Sequence, residues 1–441
     1  MIMLLYSFAL TVGLIVSAPW WLLRMATTSR YREGLRERLG TVPARLREFV
    51  RGKRVVWIHA VSVGEVLAAS RLVGELEAAL GEGFCVVVST TTRTGQALAR
   101  ERFGAGRVFY YPLDFTWAVR PYLQKLHPTA LVLMESELWP RMVHECARAG
   151  VPVAVVNARV SDRSFARGVK LRVLWGRALR KVSLWLPQSK EDARRLISMG
   201  AREDAVRVGG NLKYDVRAPK ESRVVELIRK AAVGRRIIVA GSTLGGPSKG
   251  EVSEDQVIID AWQRLPLSRV DGGKAELPPL LVLAPRHPER FAEVHQAASG
   301  PATASTASRM LQGTQDAQGF GIITLDTIGD LAAVYGVADV AFVGGSLVKR
   351  GGHNPLEPAQ FGVPVVMGPS FENFREIVGK MIDADGIRIV KDEVELRNTF
   401  EELLTDRDSA KALGERGRQV FEQEQGATTR AVEAIIELVT I

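Results

Sequence analysis

The sequence predicts an α/β protein: two doubly wound parallel-sheet domains behind an N-terminal apolar segment. Three observations carry that expectation. Short aliphatic, β-branched runs alternate with helix-length stretches, the rhythm of a parallel sheet crossed by helices. The rhythm stops near residues 215–220 and restarts, and 441 residues are too many for one ordinary core. Polar clusters fall at the ends of the predicted strands, where open α/β sheets bind their ligands.

Residues 1–23 carry no charged side chain, a length that reaches roughly 34 Å as a helix and could cross a bilayer core. Trp20 and Trp21 close the segment, where an interfacial belt would lie. No basic stretch precedes it and Val16-Ser17-Ala18 is a loose cleavage match, so residues 1–24 read as a retained anchor and not a signal peptide. Residues 25–53 form a basic juxtamembrane segment. From Arg24 to Arg54 there are ten Lys/Arg against Glu33, Glu37 and Glu48, most of the chain's net +10. The positive-inside rule then puts the rest of the chain in the cytoplasm, and the patch suits an anionic membrane surface.

The first α/β domain is expected over 54–217. Strands are predicted over 55–60, 85–89, 108–112, 130–134, 153–157, 185–189 and 206–211, with helices over 64–80 and 95–102. The second domain is expected over 218–441, its last helix free to pack back on the first. Its strands are predicted over 236–240, 279–284, 321–325, 339–343 and 363–367, and a helical pattern fills 406–438. Residues 245–255, 268–276 and 299–319 read as insertions, the last a surface loop rich in small polar residues.

One stretch concentrates the chemistry: Gly344-Gly345-Ser346-Leu347-Val348-Lys349-Arg350-Gly351-Gly352-His353-Asn354-Pro355-Leu356-Glu357. A strand precedes it, Asn354 can cap a helix and Pro355 suits a first turn. Four glycines beside a helix start are expected to offer backbone N–H groups to an anion. The pI of about 9.7 also asks for an anionic partner. Nucleic acid is not expected, because the basic excess follows the apolar segment and is not interleaved with stacking aromatics. Cys85 and Cys146 have no framework spacing and read as core residues of a reducing compartment. His287 and His353 lack a third ligand, and Asp383-Ala384-Asp385 is a lone acidic pair, so no metal site is expected.

Several runs together resemble the 3-deoxy-D-manno-octulosonic acid (Kdo) transferase family. They are Tyr31-Arg32-Glu33-Gly34-Leu35-Arg36-Glu37-Arg38-Leu39-Gly40, Trp57-Ile58-His59-Ala60-Val61-Ser62-Val63-Gly64-Glu65 and Glu135-Ser136-Glu137-Leu138-Trp139-Pro140. Gly210-Asn211-Leu212-Lys213-Tyr214-Asp215, Ala284-Pro285-Arg286-His287-Pro288-Glu289-Arg290 and Gly351–Ala359 follow in family order. The resemblance implies a glycosyltransferase-B arrangement, with the acceptor on one domain and the donor on the other. It implies transfer of Kdo from CMP-Kdo to the lipid A precursor (lipid IVA), with release of CMP, in lipopolysaccharide core biosynthesis. Inversion, no cofactor, no metal, and the cytoplasmic face of the inner membrane come with it.

By the same resemblance Glu65 is the general base, and Glu135 and Lys213 stabilise the transition state, with Glu137 a weaker substitute for Glu135. CMP contacts are carried over to Pro285, Arg286, His287, Ile328, Gly329, Asp330, Asn354, Pro355, Leu356 and Glu357. Two departures stand near the donor side. The family continues from Gly-Ser-Thr into His and an acidic run, where this chain has Leu244 and an insertion, and Asp330 replaces a more usual Glu. The alternatives are another enzyme of the same fold, using a UDP-sugar or epimerising one, and a membrane-bound binding module without catalysis.

Overall fold

In a computed structural model the chain forms two compact units, Met1–Asp215 with Gly426–Ile441, and Val216–Gln425. The structure describes residues 2–28, 32–135, 137–215, 222–246, 252–266, 270–271, 274–275, 278–299, 304–310 and 320–440. The expected linker at 215–220 beyond Asp215, most of the insertion at 299–319, parts of those at 245–255 and 268–276, and motif residues Tyr31 and Ser136 lie outside them.

The first unit holds one parallel sheet of six strands: β1 (Arg54–His59), β2 (Phe84–Thr90), β3 (Val108–Tyr110), β4 (Pro128–Met134), β5 (Val153–Ala158) and β6 (Leu184–Pro187). Their order is β3-β2-β1-β4-β5-β6. Val55 and Trp57 enter the core on one face, with Phe109, Tyr122 and Leu131, while Val56 and Ile58 enter the other, with Leu72 and Val132. A strand covered on both faces must be apolar at every position, which makes Val55-Val56-Trp57-Ile58 a continuous run. The expected strand over 206–211 reduces to one bridge between Trp185 and Val206. Gly210, at φ 89°, turns the chain out of the extended conformation there and into a 3₁₀ turn, Leu212–Tyr214.

Part of the basic segment over 25–53 is structural. Val42, Leu46 and Val50 join the first core. Glu37 accepts from the Tyr110 amide at 2.7 Å and from Arg45 at 3.0 Å, and Arg38 donates to the Thr91 carbonyl at 2.6 Å.

The long helical pattern at the end of the chain breaks at Gly426, φ 82°, into Arg407–Glu424 and Ala427–Thr440. The final helix belongs to the first unit, where Ala431, Ile435 and Val439 pack with Leu72 and Leu76 of the Val63–Leu80 helix. Asp215 caps it, accepting from the amides of Gly426 (3.0 Å) and Thr428 (2.8 Å), and Arg71 holds Asp215 at 3.3 Å.

The second unit contains β7 (Ile237–Thr243), a small antiparallel pair β8 (Val270–Asp271) and β9 (Lys274–Ala275), β10 (Leu280–Pro285), β11 (Ser305–Ala307), β12 (Ile322–Thr324), β13 (Val340–Val343), β14 (Val365–Met367) and β15 (Arg388–Ile389). Its main sheet is parallel, ordered β11-β12-β10-β7-β13-β14-β15. The edge strands β11 and β15 are too short to leave a pattern in the sequence.

Each sheet reverses direction once. In the first unit the chain moves outward from β1 to β3 and returns to lay β4 beside β1. In the second it moves outward from β7 through β10 and returns to lay β13 on the other side of β7. The carboxyl ends of β1 and β4, and of β7 and β13, therefore diverge into crevices where such sheets take ligands.

Candidate active site

Glu65 stands at the first of these crevices. The Val63–Leu80 helix starts after Ser62, and Glu65 is its third residue. From there the carboxylate reaches back over the helix start: Oε2 accepts from the Val61 amide at 2.8 Å and Oε1 from the Ser62 hydroxyl at 2.9 Å. The Val61 carbonyl is held by the Thr92 hydroxyl at 3.1 Å. Gly95 permits that approach, since a Cβ there would lie 2.8 Å from Thr92 Oγ1. Burial pushes the Glu65 carboxyl above its ordinary range, the two hydrogen bonds pull it back, and the charges of Glu135 and Glu137 push it up again. The result is a carboxylate more basic than a surface glutamate. Val63 and Leu67, on the same helix, remain exposed.

Glu135 closes the other side of the crevice at the end of β4. It adopts a left-handed backbone, φ 56°, fixed by its amide donating to the Val156 carbonyl at 2.8 Å. Lys213 Nζ meets Glu135 Oε1 at 2.8 Å, with both side chains partly open to solvent. Glu137 is exposed. The geometry thus selects Glu135 over Glu137 as the partner of Lys213.

A polar scaffold, not anticipated from the sequence, sets the lysine. Asn157, also left-handed at φ 61°, accepts from the Leu212 amide at 3.0 Å, and Asn211 accepts from the Lys213 amide at 3.0 Å. Gln188 links the two asparagines, donating to the Asn157 carbonyl at 3.1 Å and accepting from Asn211 at 3.2 Å. Asn157 and Gln188 are buried polar residues at the ends of the adjacent strands β5 and β6, and Asn211 starts the 3₁₀ turn; a polar residue closing an apolar strand was the only signal the first two gave. His59, in the same motif as Glu65, is structural. It is buried, stacked on Tyr111 at 3.8 Å and 3.0 Å from Ser89 Oγ, and burial holds its pKa down to about 3.

At the crevice of the second unit the structure corrects one expectation. The glycine stretch does surround an anion, but the anion is internal. Glu254, 0% exposed, accepts from the amides of Gly345 (2.7 Å), Ser346 (2.8 Å) and Leu347 (2.8 Å), and from Leu244 at 2.9 Å. Gly344 donates to the Gly241 carbonyl at 2.8 Å, Gly351 to Ser370 Oγ at 2.9 Å and Gly352 to the Gly345 carbonyl at 2.8 Å. These amides are committed inside the protein because a buried N–H left open would cost too much.

The same contacts explain the departure after Gly241-Ser242-Thr243. The Glu254 amide donates to the Leu244 carbonyl at 3.1 Å, which brings the two flanks of the insertion together. The acidic pair then returns to the strand end. Asp255 meets the Thr243 hydroxyl and pairs with Arg290 at 2.6 Å.

The remaining donor-side residues share the carboxyl edge of this sheet. Pro285 ends β10, and the Arg286 amide donates to the Thr243 carbonyl at 3.0 Å while its side chain, like His287, is exposed. Burial, then the charges of Arg286 and His287, lower the pKa of His353 to about 4. Burial raises the Glu357 carboxyl against the pull of Arg286. Arg286, His353 and Glu357 are therefore electrostatic neighbours. Asn354 Oδ1 accepts from the Leu356 amide at 3.1 Å, and the short Leu356–Ala359 helix starts after Pro355, one residue later than expected, with Pro355 and Leu356 buried. Beyond β12, Ile328 is 80% exposed and Gly329 is left-handed at φ 95°. Asp330 precedes the next helix and accepts from the Ser222 hydroxyl at 2.7 Å, so one of its oxygens is already engaged.

Known proteins share both sequence and fold with this chain. A family model described as 3-deoxy-D-manno-octulosonic-acid transferase (kdotransferase) matches residues 33–216. A 3-deoxy-D-manno-octulosonic acid transferase of Haemophilus influenzae is 32% identical over 415 residues, 92% of this chain and 91% of its own. Its counterpart in Bordetella pertussis is 34% identical over 388 residues, 86% of each. Among solved structures, Acinetobacter baumannii MurG matches with a TM-score of 0.53 at 15% identity, over 87% of this chain and 99% of that one, a likeness of fold alone.

Proposed function

The chain belongs to the 3-deoxy-D-manno-octulosonic acid (Kdo) transferase family and is a glycosyltransferase, and from that premise we propose that it moves Kdo from CMP-Kdo to the lipid A precursor, lipid IVA, with inversion. The observation that carries the scheme is the Glu65 carboxylate at the β1/β4 crevice, made more basic by burial. The acceptor hydroxyl gives its proton to Glu65 as its oxygen bonds to the anomeric carbon of Kdo. The bond from that carbon to the CMP phosphate breaks, and CMP leaves with the electron pair. Attack opposite the leaving group inverts the centre.

Glu135 meets the positive charge developing on the sugar ring, and Lys213 the negative charge of the sugar carboxylate or the departing phosphate. Their contact at 2.8 Å holds the two side chains together at the crevice. The donor side is read as Arg286 on the phosphate, with Pro285, His287, Ile328, Gly329, Asp330, Asn354, Pro355, Leu356 and Glu357 around CMP. With the glycine amides committed to Glu254, the phosphate charge falls to side chains, Arg286 first. A single phosphate with a guanidinium partner asks for no divalent ion, and the scheme uses neither metal nor cofactor. Exposed Val63 and Leu67 beside Glu65 suit an acyl-bearing acceptor. The basic, apolar N-terminus suits the cytoplasmic face of the inner membrane.

The test is incubation of the purified protein with CMP-Kdo and tetra-acylated lipid A precursor, reading CMP release and the lipid mass. One or two added Kdo masses are expected. Turnover of a UDP-sugar with no CMP release would sink the assignment, and no turnover with either donor would favour a binding module.

A further inference from the structure

Lys213 stands on a support too slight to aim it. Leu212–Tyr214 is a single 3₁₀ turn, and such short turns hold their own shape weakly. Its contact with Glu135 joins side chains that are 46 and 30% exposed, and an ion pair so open to water fixes little by itself. The scaffold of Asn157, Gln188 and Asn211 ties the turn to the sheet. A second set of contacts ties it to two helices.

The Ala427–Thr440 helix grips residues 209–215 at both ends. At one end Arg430 Nε donates to the Gly209 carbonyl at 2.9 Å. Gly210 lets the helix come this close, since a Cβ there would stand 2.8 Å from Arg430 Nη2 and 3.2 Å from Ala427 Cβ. Leu212 packs in the same core as Ala427 and Ala431. At the other end the Asp215 carboxylate, its side chain 3% exposed, accepts from the amides of Gly426 at 3.0 Å and Thr428 at 2.8 Å. Lys213 lies between these anchors, two residues before the second.

Asp215 also meets the helix that carries Glu65. Arg71, six residues after Glu65 on Val63–Leu80, donates to the Asp215 carbonyl at 3.1 Å and pairs with its carboxylate at 3.3 Å. Glu75 holds Arg71 Nε at 2.5 Å. One buried carboxylate thus joins the helix of Glu65, the turn of Lys213 and the last helix. We propose that Asp215 is a positioning residue of the transfer reaction: through Arg71 it registers the Lys213 turn against the Glu65 helix, and through the Gly426 and Thr428 amides it braces that turn on the last helix. This rests on the reading of Lys213 as a group of the transfer step. A displacement of about 1 Å at a reacting centre costs roughly 10²-fold in rate, so a brace two residues away is felt in kcat.

A double-mutant cycle on the full-length protein tests this, with kcat and KM for CMP-Kdo read from CMP release. Asp215→Asn is expected to lower kcat by about 10–10²-fold and to leave KM within about twofold. In a Lys213→Ala background it is expected to cost nothing further, because the group it aims is gone. Asp392→Ala strips a cap of the same kind, which accepts from the Glu395 amide at 2.9 Å, and is expected to lower the unfolding midpoint and spare kcat. An equal loss from Asp215→Asn in both backgrounds would overturn the proposal. Arg71→Met, which removes both bonds to Asp215 and leaves the helix cap in place, carries the same cycle where Asp215→Asn does not fold. The resonance of carbon-13-dimethylated Lys213, identified by its loss in Lys213→Arg, gives a readout free of turnover. It should shift with Asp215→Asn or Arg71→Met and stay in place with Asp392→Ala. An unmoved resonance would overturn the positioning role, whereas a wild-type protein that releases no CMP would instead sink the transfer reading.

Discussion

Removing the charge of Glu254 tests whether the glycine loop is held by an internal carboxylate. Its Oε2 takes the amides of Leu244 and Gly345, and its Oε1 those of Ser346 and Leu347. Glu254→Gln keeps the shape but turns one oxygen into an NH2 group, so two of the four amides face a donor. An unsatisfied buried donor costs about 1–3 kcal/mol, so two cost ~2–6, and relaxation with water entry leaves roughly 2–4 kcal/mol. Glu254→Ala strips all four, and we expect about 3–5 kcal/mol, the range for breaking a buried charged contact. For a unit the size of Val216–Gln425, 1 kcal/mol moves the midpoint by about 2–4 °C, so the glutamine variant should unfold roughly 4–16 °C lower. The assay is thermal unfolding with CMP-Kdo binding by calorimetry. Binding should weaken, because Gly352 and His353 pack through Gly345 and Gly344. A glutamine variant with an unchanged midpoint and unchanged donor affinity would refute the reasoning.

Glu65→Gln should lower kcat by about 10²–10⁴ and spare donor affinity, measured by single-turnover transfer and donor titration. A base acts ionised, so with the Glu65 carboxyl raised the rate should fall, as pH drops, through a value above the ordinary 4.5; Ser62→Ala, which removes a bond to the ionised form, should move that limb higher still. Asn157→Ala frees the Leu212 amide and should reduce kcat more than it lowers the unfolding midpoint, if its contact at 3.0 Å serves to position Lys213. Gly414→Ala would set a Cβ 1.9 Å from the Gly362 carbonyl oxygen and should destabilise the second unit by about 3 kcal/mol, read by denaturant melts.

Much of the fold is visible in the primary structure because its buried strands are continuously apolar. Val55-Val56-Trp57-Ile58 reads as a strand covered on both faces, and it is one. Edge strands such as β11 and β15 leave no such signal, being two or three residues long. Glu65, Glu135 and Lys213 stand out as polar residues at strand ends within motifs. Asn157 and Gln188 do not, because their partners are backbone groups up to 55 residues away. Glu254 was hidden differently. An insertion separates it from the strand it serves, and only the Leu244–Glu254 closure returns it to the glycine loop. The anion site was legible as a shape, while its occupant was not.

The placement of the final helix has a consequence for biosynthesis. The first unit is made of Met1–Asp215 and Gly426–Ile441, so its chain is interrupted by the whole of the second. A ribosome has joined every residue of Val216–Gln425 before Ile435 exists to cover Leu72 and Leu76. The earlier domain cannot be completed before the later one has been made, which reverses the usual order of synthesis and completion. Until termination the helix that carries Glu65 keeps an apolar stripe open, so a chain stopped within its last fifteen or so residues would hold an intact second unit and an unfinished, aggregation-prone first one.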